Sequence, residues 1–389
     1  MEISLILLAA GSGARLEIEQ KKQWLRSGAK PFWCLALENL LKSYDFSEVI
    51  VVGENKMRDF IDNIEPGFAC KNGAEFFKKF TFINGGKTRQ ESLKNALAVA
   101  NSPFVMTSDA ARINVSRELV LRLISDLKTG DFDAAVPVLK CADSMILGDN
   151  YINRDELKLI GTPQLSRTKL LKHALDTDEL FTDDSAALAK IGAKIAYVKG
   201  DKNAFKLTNK DDLKALLNAG LTPPENSYFN GHGFDVHRFC EGDFATLCGV
   251  KVPHNQGILA HSDGDAPLHA LCDALFGAAG LGDIGQFFPD TDERYKGANS
   301  LELLKNSAKI VRSYGFEIIN ADITILCERP KITPYKDKMK ANVAAALKIG
   351  RNFVNIKATT MEKMGFIGEQ IGLGAIANAT IKYFDWTKI

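Results

Sequence analysis

Ile3-Ser-Leu-Ile-Leu-Leu-Ala-Ala-Gly11-Ser-Gly13-Ala-Arg15 decides the fold, because a short apolar run passes directly into a glycine-rich turn. No basic residue precedes the run and a loop follows at once, so it reads as a buried first strand and not as the core of a signal peptide. Bare backbone N–H groups in such a turn can approach a phosphate closely. Two familiar phosphate loops are excluded. The third glycine of G-x-G-x-x-G is Leu16, and the loop continues into Lys21-Lys22 instead of an uninterrupted helix. Gly86-Lys87-Thr88 imitates the end of a Walker A loop, but Thr81 stands where that loop needs its first glycine.

Outward from this stretch, strands alternate with amphipathic helical patterns: a helix from about Phe32 to Lys42, Glu48 to Val52, a helix beginning near Arg89, and Phe104 to Ser108. That alternation predicts a parallel, doubly wound sheet. The rhythm breaks near residues 137–160, where two short extended runs flank Gly148-Asp149-Asn150 and predict a hairpin arm. Leu221-Thr-Pro-Pro-Glu-Asn-Ser227 pairs prolines with polar residues and reads as a stiff linker. The expected division is residues 1–220, a linker at 221–228, and a second domain at 229–389. Five of the six histidines fall between His232 and His269, so the chemistry changes with the domain.

The whole chain, 389 residues with 46% hydrophobic and 25% charged content, has ample length for two cores. Lysine plus arginine (49) nearly cancels aspartate plus glutamate (48), which removes any global field for nucleic acid or an anionic membrane. Cys34, Cys70, Cys141, Cys240, Cys248, Cys272 and Cys327 are odd in number and form no C-x-x-C pair, so reduced thiols in a cytoplasm are expected. No apolar stretch approaches bilayer-spanning length.

In the first half, Arg15 and Lys22 stand beside the loop amides, and Asp109-Ala-Ala-Arg112 ends a later strand, at the edge where open α/β sheets bind ligands. Two cations can offset charge building on an α-phosphorus and a leaving pyrophosphate, while an aspartate can hold Mg²⁺ or a sugar hydroxyl. Leu8 to Arg15, Lys22-Gln23-Trp24, Gly85-Gly86-x-x-Arg89-x-x-Ser92, Ser108-Asp-Ala-Ala-Arg112, Thr162-Pro-Gln164, Thr182-Asp183-Asp184 and Phe205-Lys206-Leu-Thr208 together resemble 2-C-methyl-D-erythritol 4-phosphate cytidylyltransferases. The resemblance implies a Rossmann-like nucleotidyltransferase domain with a β-hairpin arm. It implies that Arg15, Lys22 and Lys206 stabilise the transition state, and that Ala9, Ala10, Gly11, Gly86, Ser92 and Asp109 contact CTP. Asp109, Arg112, Arg154 and Thr162 would hold methylerythritol phosphate, with Arg154 delivered from a dimer partner's arm. Lys21 replaces the family's proline before the catalytic lysine, and Ser108 replaces its histidine before Asp109.

In the second half, Gly231-His-Gly-Phe-Asp235-Val-His237 is extended, and a two-residue spacing puts Asp235 and His237 on one face. His269 lies four residues before Asp273 on a helix opened by the capping residues of Ser262 to Pro267. Three N and O ligands leave one position of a tetrahedral zinc free for substrate. With Leu281-Gly-Asp283-Ile-Gly285, Phe288-Pro-Asp-Thr-Asp292, Arg329-Pro-Lys331 and Lys357-Ala-Thr-Thr360-Met-Glu362-Lys-Met-Gly365-Phe366, these motifs look like 2-C-methyl-D-erythritol 2,4-cyclodiphosphate synthases. The resemblance implies a C-terminal α/β domain in which Asp235, His237 and His269 bind Zn²⁺, and Glu362 helps hold a second divalent cation, Mg²⁺ or Mn²⁺. Asp273 and Asp283 would bind ribose, Lys331 and Thr360 would meet the cytidine diphosphate moiety, and His261, Ser262, Gly285 and Phe366 would complete the substrate site. Glu369 stands where relatives commonly carry arginine.

Trimeric relatives of the second domain and arm-paired dimers of the first combine most simply into a hexamer. Competing readings are a nucleotidyltransferase for another polyol phosphate fused to a metal phosphatase-like domain, and a non-catalytic scaffold.

Overall fold

Residues 1–61 and 80–389 are described by the structure, a computed structural model; Cys70 lies outside them. The chain groups into two units, Met1–Pro223 with Trp386–Ile389, and Pro224–Asp385. Among the described residues, no helix is long and apolar enough to cross a membrane.

In the first unit Ile3–Leu8 is buried along almost its whole length, as a strand with helices on both faces must be. It lies mid-sheet, parallel to Glu48–Gly53 on one side and Phe104–Asp109 on the other, and Phe80–Asn84 extends the parallel set. The parallel pairing expected from the alternation holds for these four strands and is corrected in the other half. Gln164–Arg167 runs antiparallel between Phe104–Asp109 and Ala134–Lys140. The chain leaves Ala134–Lys140 into the arm and returns with no crossover helix, and without a crossover the returning strand can pair only antiparallel. The sheet of eight strands is therefore mixed. The arm contains the hairpin of Met145–Leu147 and Asn150–Ile152, closed by Gly148-Asp149 with Gly148 at φ 60, so Asn150 belongs to a strand and not to the turn.

The expected second domain ends at 389, but Trp386–Ile389 packs with the first unit. Trp386 is buried, donates its indole N–H to the Arg26 carbonyl at 2.6 Å and meets Phe32 edge-on at 5.4 Å. An indole needs both apolar cover and an acceptor, and this pocket supplies both.

The second unit is a five-stranded sheet in the order Gly257–Leu259, Tyr228–Cys240, Gly372–Tyr383, Phe316–Leu326, Val354–Thr359. Helix Ala266–Ala278 lies directly on Tyr228–Cys240. The approach depends on two glycines: a Cβ at Gly231 would meet the Ala274 carbonyl oxygen at 1.9 Å, and one at Gly233 would meet that of Ala270 at 1.9 Å. Asp235 and His237 continue the same face two and four residues further on. The strand thus delivers both to the flank of the helix that carries His269.

Candidate active sites

In the first unit the loop after Ile3–Leu8, the start of helix Arg89–Val99 and the end of Phe104–Asp109 enclose a cavity of about 480 Å³. The parallel strands all point their C-terminal ends there, where open α/β sheets collect ligand groups. Ala9, Ala10, Gly11, Arg15, Lys22, Gly86, Ser92, Asp109 and Lys206 all line it. Close approach fixes the walls. A Cβ on Gly85 would lie 2.2 Å from that of Ala10, and Gln23 donates to the Gly11 carbonyl at 2.9 Å. Ser92 accepts from the Gly86 amide at 3.0 Å and donates to the Thr88 carbonyl at 2.9 Å, while Thr88 caps the helix through Glu91 N–H at 3.0 Å. Lys21 pairs with Glu54, whose other oxygen takes the Trp24 indole N–H at 3.0 Å, and Lys22 turns into the cavity.

Charge is concentrated at the floor. Asp109 accepts from Lys206 at 2.5 Å and from Arg89 at 3.1 Å, and Arg89 reaches Asp184 at 2.6 Å. Burial alone would raise the Asp109 carboxyl, but Arg89 and Lys206 outweigh it and hold the group well below the usual carboxylate range. Lys22 is lowered to about 8, first by burial and then by the Lys206 charge, with Asp109 opposing. Thr162 receives the Asp109 amide at 3.2 Å, and Arg112 donates to the Ala204 carbonyl at 2.7 Å beside a smaller cavity of about 190 Å³ that Thr162 and Lys206 also line. Arg154 lines neither cavity; it is exposed on the arm and donates to the Ala142 carbonyl at 2.8 Å. The Arg89–Asp184 clamp went unassigned in the sequence because its partners are 95 residues apart, although both sit inside quoted motifs.

In the second unit Asp235, His237 and His269 bring one ligand atom each within 4.8 Å of one another, a group able to hold a metal ion. The hydrogen bonds around the two imidazoles suit that use. The Nδ1–H of His237 donates to the Val236 carbonyl at 2.6 Å, which leaves Nε2 with its lone pair, buried and without a hydrogen-bond partner. Ser300 donates to Asp263 at 2.5 Å, so its oxygen accepts from Nε2–H of His269 at 2.9 Å, and Nδ1 faces Asp235 at 3.2 Å. Metal-ligating histidines are oriented in this manner, by an acceptor on the ring nitrogen that does not bind the ion. Ser262 lies 3.3 Å from the same Nε2. Ser300 falls in none of the sequence motifs, and Asp263 reads from sequence only as one of the capping residues of Ser262 to Pro267, because their contact joins residues 37 apart.

Asp273, one helical turn after His269, accepts from the Ile284 amide at 2.8 Å, and Asp283 caps the short helix that contains Gly285. Burial first, and then the charges of Asp283 and Asp235, raise the Asp273 carboxyl. Glu362 does not join the three-residue group; it accepts from Thr360 at 2.8 Å on the loop after Val354–Thr359. Lys331, Thr360, Glu362 and Phe366 are exposed, as is His261, whose carbonyl accepts from Gly297 at 2.8 Å.

A nucleotide-sized cavity ringed by cations in one α/β unit and an N,N,O metal group in another define a two-site enzyme of phosphate chemistry. The family described as 2-C-methyl-D-erythritol 4-phosphate cytidylyltransferase matches residues 3–220, and the YgbB family matches residues 228–382. The "Bifunctional enzyme IspD/IspF" of Campylobacter fetus is 51% identical over the whole of both chains, and that of Campylobacter curvus 49%. The solved structure of the bifunctional IspDF from Campylobacter jejuni, 46% identical and covering all of both chains, superposes with a TM-score of 0.86. The chain belongs to the bifunctional IspD/IspF family.

Proposed function

We infer that the chain carries out two reactions of non-mevalonate isoprenoid precursor synthesis. It transfers CMP from CTP to 2-C-methyl-D-erythritol 4-phosphate with release of pyrophosphate. It also cyclises 4-diphosphocytidyl-2-C-methyl-D-erythritol 2-phosphate to the 2,4-cyclodiphosphate with release of CMP. The observation that carries this reading is that each unit gathers a separate constellation, cations over a glycine loop in one and Asp235, His237 and His269 in the other. We assign the first reaction to residues 1–220, the second to the domain that begins at 229, and a linker to 221–228; the segments matched by the two families support the assignment.

In the first reaction the glycine-loop amides and the start of helix Arg89–Val99 receive the triphosphate, and Arg15, Lys22 and Lys206 offset the charge that moves onto pyrophosphate. Asp109, held ionised by Arg89 and Lys206, takes a substrate hydroxyl or Mg²⁺, while Arg112 and Thr162 sit at the acceptor end. Arg154 serves the partner's site, consistent with its exposure on the arm. In the second reaction Asp235, His237 and His269 hold Zn²⁺, whose charge would neutralise phosphate oxygens. Glu362 helps hold Mg²⁺ or Mn²⁺, Asp273 and Asp283 orient the ribose, and Lys331 and Thr360 fix the cytidine diphosphate. His261, Ser262, Gly285 and Phe366 line the remainder. The 2-phosphate then attacks the β-phosphorus in line, and no protein nucleophile is needed.

Exposure of Leu147 and Tyr151 on the arm and of Phe234 and Val236 on the second sheet supports a homo-oligomer with two kinds of contact; we assign a hexamer, the smallest closed assembly that combines a threefold and a twofold contact, and place it in the cytoplasm. A stable monomer by mass in solution would overturn that. The function is tested by supplying CTP, methylerythritol phosphate and Mg²⁺ and following pyrophosphate, with the phosphorylated cytidyl intermediate assayed separately for CMP release with and without a zinc chelator. Pyrophosphate in one arm and chelator-sensitive CMP in the other are expected; silence in either arm would remove that activity.

A further inference from the structure

Glu362 and Lys363 stand consecutively in the left-handed backbone region, at φ 50 and 62, where side chains other than glycine are strained. Something must hold them there. Part of the restraint is Gly368, where a Cβ would lie 2.2 Å from the Lys363 carbonyl carbon, so the following turn closes tightly over the loop. The other part is a carboxylate that none of the sequence motifs includes. Oε1 of Glu328 accepts from the amides of Met361 at 3.0 Å and Lys363 at 3.1 Å, the two residues that flank Glu362. Glu328 follows the strand Phe316–Leu326 by two residues and is anchored through its neighbour: the Cys327 amide donates to the Thr359 carbonyl at 3.1 Å, directly before the loop.

We propose that Glu328 is a positioning residue for cyclisation, a two-pronged acceptor that fixes the 361–363 backbone and so sets where the Glu362 carboxylate and the Thr360 hydroxyl point. The proposal rests on the roles given above to Glu362 and Thr360. A single oxygen bonded to alternate amides ties down the 360–361 and 362–363 peptides and so restrains the turn between them, and the Thr360 hydroxyl donates to the Glu362 carboxylate at 2.8 Å. The contact needs an oxygen acceptor and not a negative charge as such. Glutamine at this position would therefore serve, and alanine would not.

The full-length, zinc-loaded protein and its Glu328→Ala, Glu328→Gln and Glu362→Gln variants decide the matter, with zinc content and pyrophosphate release as controls for folding. Amide hydrogen exchange over residues 361–363 and the steady-state constants for CMP release are measured for each. In Glu328→Ala, exchange across 361–363 accelerates and kcat falls roughly 10–100-fold, with a smaller change in KM. Glu328→Gln restores both. Parental exchange and kcat in Glu328→Ala, or a Glu328→Gln variant as impaired as the alanine one, would overturn the proposal. Glu362→Gln separates the underlying reading: lost cyclisation with parental exchange upholds both, whereas full cyclisation refutes the role of Glu362 and leaves exchange in the Glu328 variants to decide the clamp.

Discussion

Lys22 carries the strongest residue-level consequence. Its ammonium is lowered to about 8 in the free protein because burial and the Lys206 charge disfavour it, so it is protonated below that pH and neutral above it. The profile of kcat/KM for CTP reports free-enzyme groups, so pyrophosphate release is expected to decline as pH rises through about 8. Lys22→Arg should move that limb to higher pH, since a guanidinium stays charged; an unchanged limb would place the titration elsewhere. Lys22→Ala should lower kcat far more than it raises KM, because the interaction grows as charge moves onto pyrophosphate. For the other site, His269→Ala should abolish bound zinc and CMP release while pyrophosphate release persists. Equal loss of both activities would contradict separate sites.

At the level of elements, sequence and structure agree where a local rule decides. The strand Ile3–Leu8, the helix Phe32–Ser43 and the hairpin around Gly148 follow from hydrophobic period and turn chemistry, and all are present. The antiparallel Gln164–Arg167 was not legible, since direction depends on whether the chain crosses the sheet, which no periodicity records. The candidate site divides in the same way. Asp235 and His237 share a strand face by spacing alone, but the pairing of Arg89 with Asp184, or of Glu328 with the 361–363 amides, is long-range and leaves no local trace. Gly233 belongs to this scale as well. Its Cβ would overlap the Ala270 carbonyl, so Gly233→Ala must push the helix off the strand, and a loss of about 1–3 kcal/mol or more is expected in chemical denaturation. Because His269 moves with that helix, zinc affinity should fall too. A variant of parental stability and zinc affinity would mean that strand and helix can separate without cost.

At the level of the whole molecule, the first unit is built from two separate stretches of chain. Trp386 is its last core residue, packed on Phe32 and bonded to the carbonyl of Arg26, four residues beyond Lys22. Trp386→Ala should cost roughly 3–5 kcal/mol of first-unit stability, as large aromatic truncations in cores do. Unfolding followed by loss of CTP-dependent pyrophosphate release should reveal it; a variant unfolding with the parental midpoint would show the indole to be dispensable.

The arrangement also has a consequence in time. A ribosome makes Met1–Pro223, then all of Pro224–Asp385, and only afterwards Trp386. Domains generally fold as they emerge, N-terminal first. Here the cytidylyltransferase unit must wait with the Phe32 slot unfilled while its successor is synthesised, so the part translated first is the part completed last.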